Sequence, residues 1–150
     1  MRTVIQRVSR STVHIGGQLV GATGVGLVVL LGIGSEDTGD DIDWLVGKIA
    51  RLRVFPDEAG LMNRSLDEVG GEVLVISQFT LHASTKKGNR PSYLSAARPE
   101  AAEPLYAAFV TRLADTIARP VATGRFGAEM QLTLTNEGPV TITIDSRNRE

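Results

Sequence analysis

Gly26-Leu27-Val28-Val29-Leu30-Leu31-Gly32-Ile33 and Glu72-Val73-Leu74-Val75-Ile76-Ser77-Gln78 decide the fold. Both are nearly continuous aliphatic runs without clear alternation, and neither approaches the roughly 20 residues of a membrane helix. Such runs read as strands covered on both faces, so structure must lie on each side of the sheet that holds them. The second run then turns polar within one residue. Ser77-Gln78-Phe79-Thr80-Leu81 brings two hydroxyls and an amide out of a buried strand.

The flanking sequence supplies the other elements. Thr3–Val8 alternates polar and apolar residues, Thr12–Ile15 is β-branched, and Gly16-Gly17 predicts a hairpin turn into Gln18–Thr23. Asp40-Asp41 opens a helix carrying Ile42, Leu45, Val46, Ile49 and Leu52 at helical spacing, with the acids at its electropositive end. Arg53–Phe55 is expected as a short strand stopped by Pro56-Asp57-Glu58-Ala59-Gly60. A second helix is predicted from about Pro99 to Ala118, with Leu105, Tyr106, Phe109, Val110, Leu113 and Ile117 on one face. Pro104 is expected in or near its first turn, where a missing N–H is tolerated. Met130–Thr135 and Val140–Ile144 alternate and read as a closing hairpin around Gly138-Pro139. Together these predict one β-rich α/β domain over residues 1–150, with mixed sheets and two main helices.

Composition narrows the chemistry. The chain has 150 residues, a net charge of −1 and a hydrophobic fraction of 42%, so no global field draws it to DNA or to a membrane. It has no cysteine, which removes disulfides, thiol nucleophiles and thiolate zinc sites and fits a reducing cytoplasm. Met1–Arg7 has no signal-peptide core, so a cytoplasmic protein is expected. With two distant histidines, His14 and His82, no metal site and no cofactor are expected. Gly24-Val25-Gly26 precedes a strand rather than a helix, which excludes a dinucleotide loop.

Ser77 and Thr80 read either as turn caps or as site hydroxyls. A hydroxyl nucleophile needs an activating base, and no Gly-x-Ser-x-Gly elbow surrounds Ser77. If the segment is catalytic, backbone N–H groups of Phe79 and Thr80 should stabilise an oxyanion in place of a triad. Gly138-Pro139 reads as a hairpin turn or as a rigid corner that presents its carbonyls in fixed directions. The segment from His82 to Arg98 is a long loop, and its Lys86, Lys87 and Arg90 are either solvated or placed to meet phosphates.

Ser77-Gln78-Phe79-Thr80-Leu81 and Gly138-Pro139-Val140-Thr141 resemble the two signature motifs of the D-aminoacyl-tRNA deacylases, also called D-tyrosyl-tRNA deacylases. Gln6-Arg7-Val8, Lys87-Gly88-Asn89-Arg90-Pro91-Ser92, Leu105-Tyr106 and Thr123-Gly124-Arg125-Phe126 fit the same family in the same order, so the resemblance covers nearly the whole chain. It implies a three-layer β/β/α fold and hydrolysis of the ester joining a D-amino acid to the 3′ end of tRNA. It further implies a homodimer whose Gly138-Pro139 acts in trans, in the partner's pocket. The roles carried over are catalytic for Ser77, Gln78, Phe79 and Thr80, and substrate-binding for Gly138, Pro139 and Met130. His82 stands where the family commonly has a small residue, which argues against a catalytic role for it. A filter that excludes a side chain cannot reject glycine, so glycyl-tRNA is an expected substrate. The alternatives are a non-catalytic RNA-binding module and an L-seryl-tRNA editing domain of the same fold.

Overall fold

A computed structural model describes residues 1–149. Strand β1 (Arg2–Ile15) is its longest-range organiser. Along one edge β1 pairs antiparallel with β3 (Gly26–Gly32) through residues 2–8 and with β2 (Gln18–Thr23) through residues 11–15. Along its other edge it pairs with β8 (Gln131–Asp145). β3 continues in parallel to β6 (Glu72–Ser77), and β6 to the short β7 (Ala122–Thr123). The short strands β4 (Phe55–Pro56) and β5 (Met62–Arg64) form a separate hairpin.

The sheet curls until β2 meets β6 and β7. Gly21 is why they can touch: a Cβ there would lie 2.6 Å from the Thr123 carbonyl oxygen and 3.3 Å from Leu74. Two cores result, one on each face. Leu27, Val29, Leu31, Val73 and Val75 pack against helices α1 (Gly39–Ala50) and α2 (Pro99–Ile117). Val28, Leu74 and Ile76 point into the curl with Val8 and Val13. Alternate residues of β3 and β6 thus enter different cores, which explains why both strands are aliphatic throughout.

The helices follow the sequence closely. The Asp41 carboxylate accepts the Thr38 N–H at 2.9 Å and so closes the first turn of α1. Burial works against the Asp41 charge, but hydrogen bonds from Ser146 and Thr38 outweigh it and hold the carboxyl below its usual value. Pro104 departs from expectation. Pro99 opens α2, and Pro104 sits inside the helix, past the first turn. Pro104 lies on the exposed face, so water can satisfy the Glu100 carbonyl that loses its N–H partner.

The largest departure is at the C-terminal strand. There is no hairpin around Gly138-Pro139. β8 runs in one direction through both halves, and both halves pair with β1. Asn136 sits opposite Val8 and Thr141 opposite Gln6, so residues 137–140 face Arg7 alone and bulge outward. Regular alternation at Leu132, Leu134, Val140, Ile142 and Ile144 therefore does not mark one face. The first two join the core inside the curl, and the other three join the core beneath the helices.

Candidate active site

The polar end of β6 opens into a cavity of about 400 Å³. Ser77, Gln78 and Phe79 form one wall, Met130 and Leu132 another, and Phe126 and Ala97 close the sides. Immediately after Gln78 the chain turns into a single 3-10 turn, Phe79–His82. The Gln78 N–H donates to the Leu31 carbonyl at 2.7 Å, which pins the start of this turn to the end of β3. Gly32 lets the turn sit close: a Cβ there would lie 2.8 Å from the Gln78 carbonyl oxygen and 3.0 Å from the Leu81 Cβ.

No lining residue of this cavity is ionisable. The nearest polar groups of the motif are amides and hydroxyls. Gln78 Nε2–H donates to Thr80 Oγ1 at 2.5 Å, so the side chain beside the Thr80 hydroxyl is a primary amide, which cannot serve as a base. Phe79 and Thr80 open the 3-10 turn, and their backbone N–H groups have no partner within it. Tyr106 underpins the floor. Its hydroxyl donates to the Val75 carbonyl at 2.9 Å, and burial pushes its pKa up to about 12, so it remains a neutral donor at physiological pH.

His82 follows Leu81 but does not line the cavity. It is buried, and desolvation lowers its pKa against the opposing pull of the Gly32 carbonyl and of Asp37. A buried, neutral imidazole outside the cavity is a packing residue here.

Gly138 and Pro139 lie elsewhere. Both are exposed at the bulge of β8, and the peptide between them is cis. Leu132 on the cavity wall and Gly138 are six residues apart on one strand, about 20 Å of extended chain. The corner is tightly framed. Buried Arg7 donates from Nε to the Glu137 carbonyl at 3.2 Å and from Nη1 to the Val54 carbonyl at 2.5 Å. Asn136 spans the bulge: its Oδ1 accepts the Val140 N–H at 3.2 Å and its Nδ2 donates to Thr141 Oγ1 at 3.1 Å. Gly138 has φ of +118°, and a Cβ there would meet Arg7 Nη2 at 2.7 Å and Val140 Cγ2 at 2.9 Å.

With this geometry in view, residues 4–145 match the family model described as D-Tyr-tRNA(Tyr) deacylase. The chain belongs to the D-Tyr-tRNA(Tyr) deacylase family. A protein of Parabacteroides distasonis named D-aminoacyl-tRNA deacylase is 58% identical over 150 residues, covering 100% of both chains. A protein of Akkermansia muciniphila with the same name is also 58% identical, again over 100% of both. Among solved structures, one described as the c-Myc DNA Unwinding Element Binding Protein superposes with a TM-score of 0.92 at 43% identity, covering 97% of this chain and 98% of that one.

The candidate site residues thus fall in two places. Ser77, Gln78, Phe79 and Met130 share the cavity, Thr80 stands just behind it, and Gly138-Pro139 is remote from it on the same chain. Sequence reasoning did not single out Arg7, Asn136 or Gly32 as parts of the site. Arg7 had a readable signal: it holds the inward parity of Thr3 and Ile5 in an alternating strand, where a charge needs a specific partner. Nothing local distinguishes Gly32, because its closeness to Gln78 exists only once β3 and β6 are paired.

Proposed function

We propose that this deacylase-family chain hydrolyses the ester between a D-amino acid and the 3′ end of tRNA, as a chiral proofreading step in translation. The observation that carries the reading is a cavity lined by the family's first motif in which no lining side chain is ionisable. Aminoacyl esters are already activated, so binding, orientation and oxyanion stabilisation suffice to speed their hydrolysis.

In this reading water attacks the ester carbonyl carbon, and the oxyanion that forms is met by the N–H groups of Phe79 and Thr80. The tetrahedral intermediate collapses by breaking the bond to the ribose 3′ oxygen, which takes up the proton lost by water. The vicinal ribose hydroxyl relays that proton, so the substrate supplies the group the protein lacks. Ser77 and Gln78 shape the wall against which the ester lies, and Met130 flanks it. Thr80→Ala should therefore retain turnover within about threefold, because no base serves its hydroxyl. A single-turnover assay checks this, and a loss of several orders of magnitude would establish Thr80 as the nucleophile instead.

Gly138-Pro139 is the chirality filter in this reading, acting in the pocket of a second copy. Its distance from the cavity on its own chain, its exposure and the outer edge of β8, unpaired among the described residues, support a homodimer. Enantiomers offer identical groups, so only a fixed obstacle separates them. A 10⁴-fold preference needs roughly 5.5 kcal/mol, more than one lost methylene contact supplies. Among the described residues no helix is long and apolar enough to cross a membrane, and a cytoplasmic site of action accompanies the tRNA substrate.

The deciding assay mixes purified protein with D-tyrosyl-, L-tyrosyl- and glycyl-tRNA and counts released amino acid. Release from the D and glycine substrates with the L ester intact is expected. Equal release of D and L would sink the filter, and no release at all would leave a binding module.

A further inference from the structure

The deacylase cavity does not end at its rim. Phe79 lines the cavity yet is 57% exposed, and it packs edge-to-face on Tyr93 at 5.1 Å and 71°. Tyr93 is itself 38% exposed, and Leu94 beside it is 93% exposed. Phe79 on the cavity wall, Tyr93 packed on it and Leu94 next in the chain leave apolar surface facing water that burial has not claimed. The chain leading to them is basic. Ser84 and Ser92 close a loop through reciprocal backbone hydrogen bonds of 2.8 and 2.9 Å. Lys86, Lys87 and Arg90 project from that loop, and none forms an ion pair among the described residues. Residues 73–99 contain no acid at all, in a chain of net charge −1. The unit is also tied to the cavity: Ala96 N–H donates to the Tyr93 carbonyl at 3.0 Å, and Ala97 N–H to the Ile33 carbonyl at 2.9 Å.

We propose that Phe79, Tyr93 and Leu94 with Lys86, Lys87 and Arg90 form the docking platform for the unpaired strand that leads to the tRNA 3′ end. Bases next to the terminal nucleoside lie on the exposed aromatic and leucine faces, and their phosphates meet the basic loop. This rests on the deacylase reading above. The combination of flat apolar faces with a cationic track is how single strands are bound without regard to sequence. A duplex would satisfy the cations but has no free base faces to place on Tyr93 and Leu94.

The test compares two substrates, D-tyrosyl-tRNA and D-tyrosyl-adenosine, which lacks the preceding nucleotides. Tyr93→Ala/Leu94→Ala should lower kcat/KM for the tRNA about tenfold and leave the adenosine ester within about twofold of the parent. Lys86→Ala/Lys87→Ala/Arg90→Ala should flatten the salt dependence of kcat/KM for the tRNA by about two in log–log slope, at about 0.7 per phosphate on a single strand. A short RNA carrying the unpaired tRNA 3′ end should inhibit the parent better than duplex DNA of equal charge. Equal losses on both substrates, or no loss on the tRNA, overturn the platform while the deacylase reading stands. Failure of the parent protein to cleave either ester overturns that reading instead. A change in sedimentation of the Tyr93/Leu94 variant, without substrate, would reassign the patch to contact between copies and overturn the proposal.

Discussion

Gly138→Ala is expected to lower D-aminoacyl-tRNA turnover by at least about 100-fold while the protein stays folded. At φ of +118° a residue with a Cβ is strained by roughly 1–3 kcal/mol. The added carbon would also meet Arg7 Nη2 at 2.7 Å and Val140 Cγ2 at 2.9 Å. Arg7 cannot simply move aside, because its guanidinium is buried and bonded to the carbonyls of Val54 and Glu137. The corner must shift instead, and a substrate held about 1 Å out of place by it can cost about 10² in rate. Gly138 itself is exposed on the bulge of β8, and neither helix nor the paired stretches of the sheet need move, so unfolding should not mask the effect. Steady-state deacylation alongside a thermal melt checks it. Arg7→Met should act in the same direction by releasing the corner, at a larger cost in stability, since two carbonyls lose a charged donor. Full activity in Gly138→Ala would show that the corner does not touch the substrate.

Gly32→Ala is the second large effect expected, again about 100-fold, but in kcat rather than KM. Gly32 ends β3 directly beneath the turn that carries Phe79 and Thr80. A methyl group there would press on the Gln78 carbonyl at 2.8 Å, the Leu81 Cβ at 3.0 Å and the His82 ring at 3.1 Å. The first two belong to the main chain or its first carbon, so the turn itself must rise. Gln78 N–H would then lose its 2.7 Å bond to Leu31, and the Phe79 and Thr80 N–H groups would move off the oxyanion position. The cavity's apolar walls at Met130 and Leu132 are untouched, so substrate binding should persist. Single-turnover and saturation kinetics separate the two quantities. An unchanged kcat would mean that the N–H groups of this turn do not hold the oxyanion.

Much of the fold was legible because it depends on short-range pattern. The runs Gly26–Ile33 and Glu72–Gln78 read as strands covered on both faces, and the two cores show why they are aliphatic throughout: alternate residues serve opposite faces. The helix at Asp40-Asp41 announced itself through spacing and charge. Pro104 sits deeper in α2 than expected, because helix tolerance for proline depends on which carbonyl is orphaned and whether water reaches it. The hairpin expected around Gly138-Pro139 fails for a related reason, while the alternative of a rigid corner does not conflict with the bulge. A Gly-Pro between two alternating stretches has the same local chemistry whether the chain reverses or bulges, and only pairing of both halves with β1 distinguishes them.

The sequence by itself determined the layers, the apolar strands and the chemical poverty of the site, since residue type and spacing act locally. A buried strand that turns polar marked Ser77 to Thr80 as a candidate segment, and the resemblance of its motif to the family supplied the roles. Only the tertiary structure decided what surrounds them. It brought Met130 and Phe126 to the same cavity, set Gly32 under the turn, braced the Gly138 corner with Arg7, and held that corner far from its own chain's cavity. These are contacts between residues dozens of positions apart. Their geometry follows from how the sheet curls, a sum over many pairings that no single stretch of sequence contains.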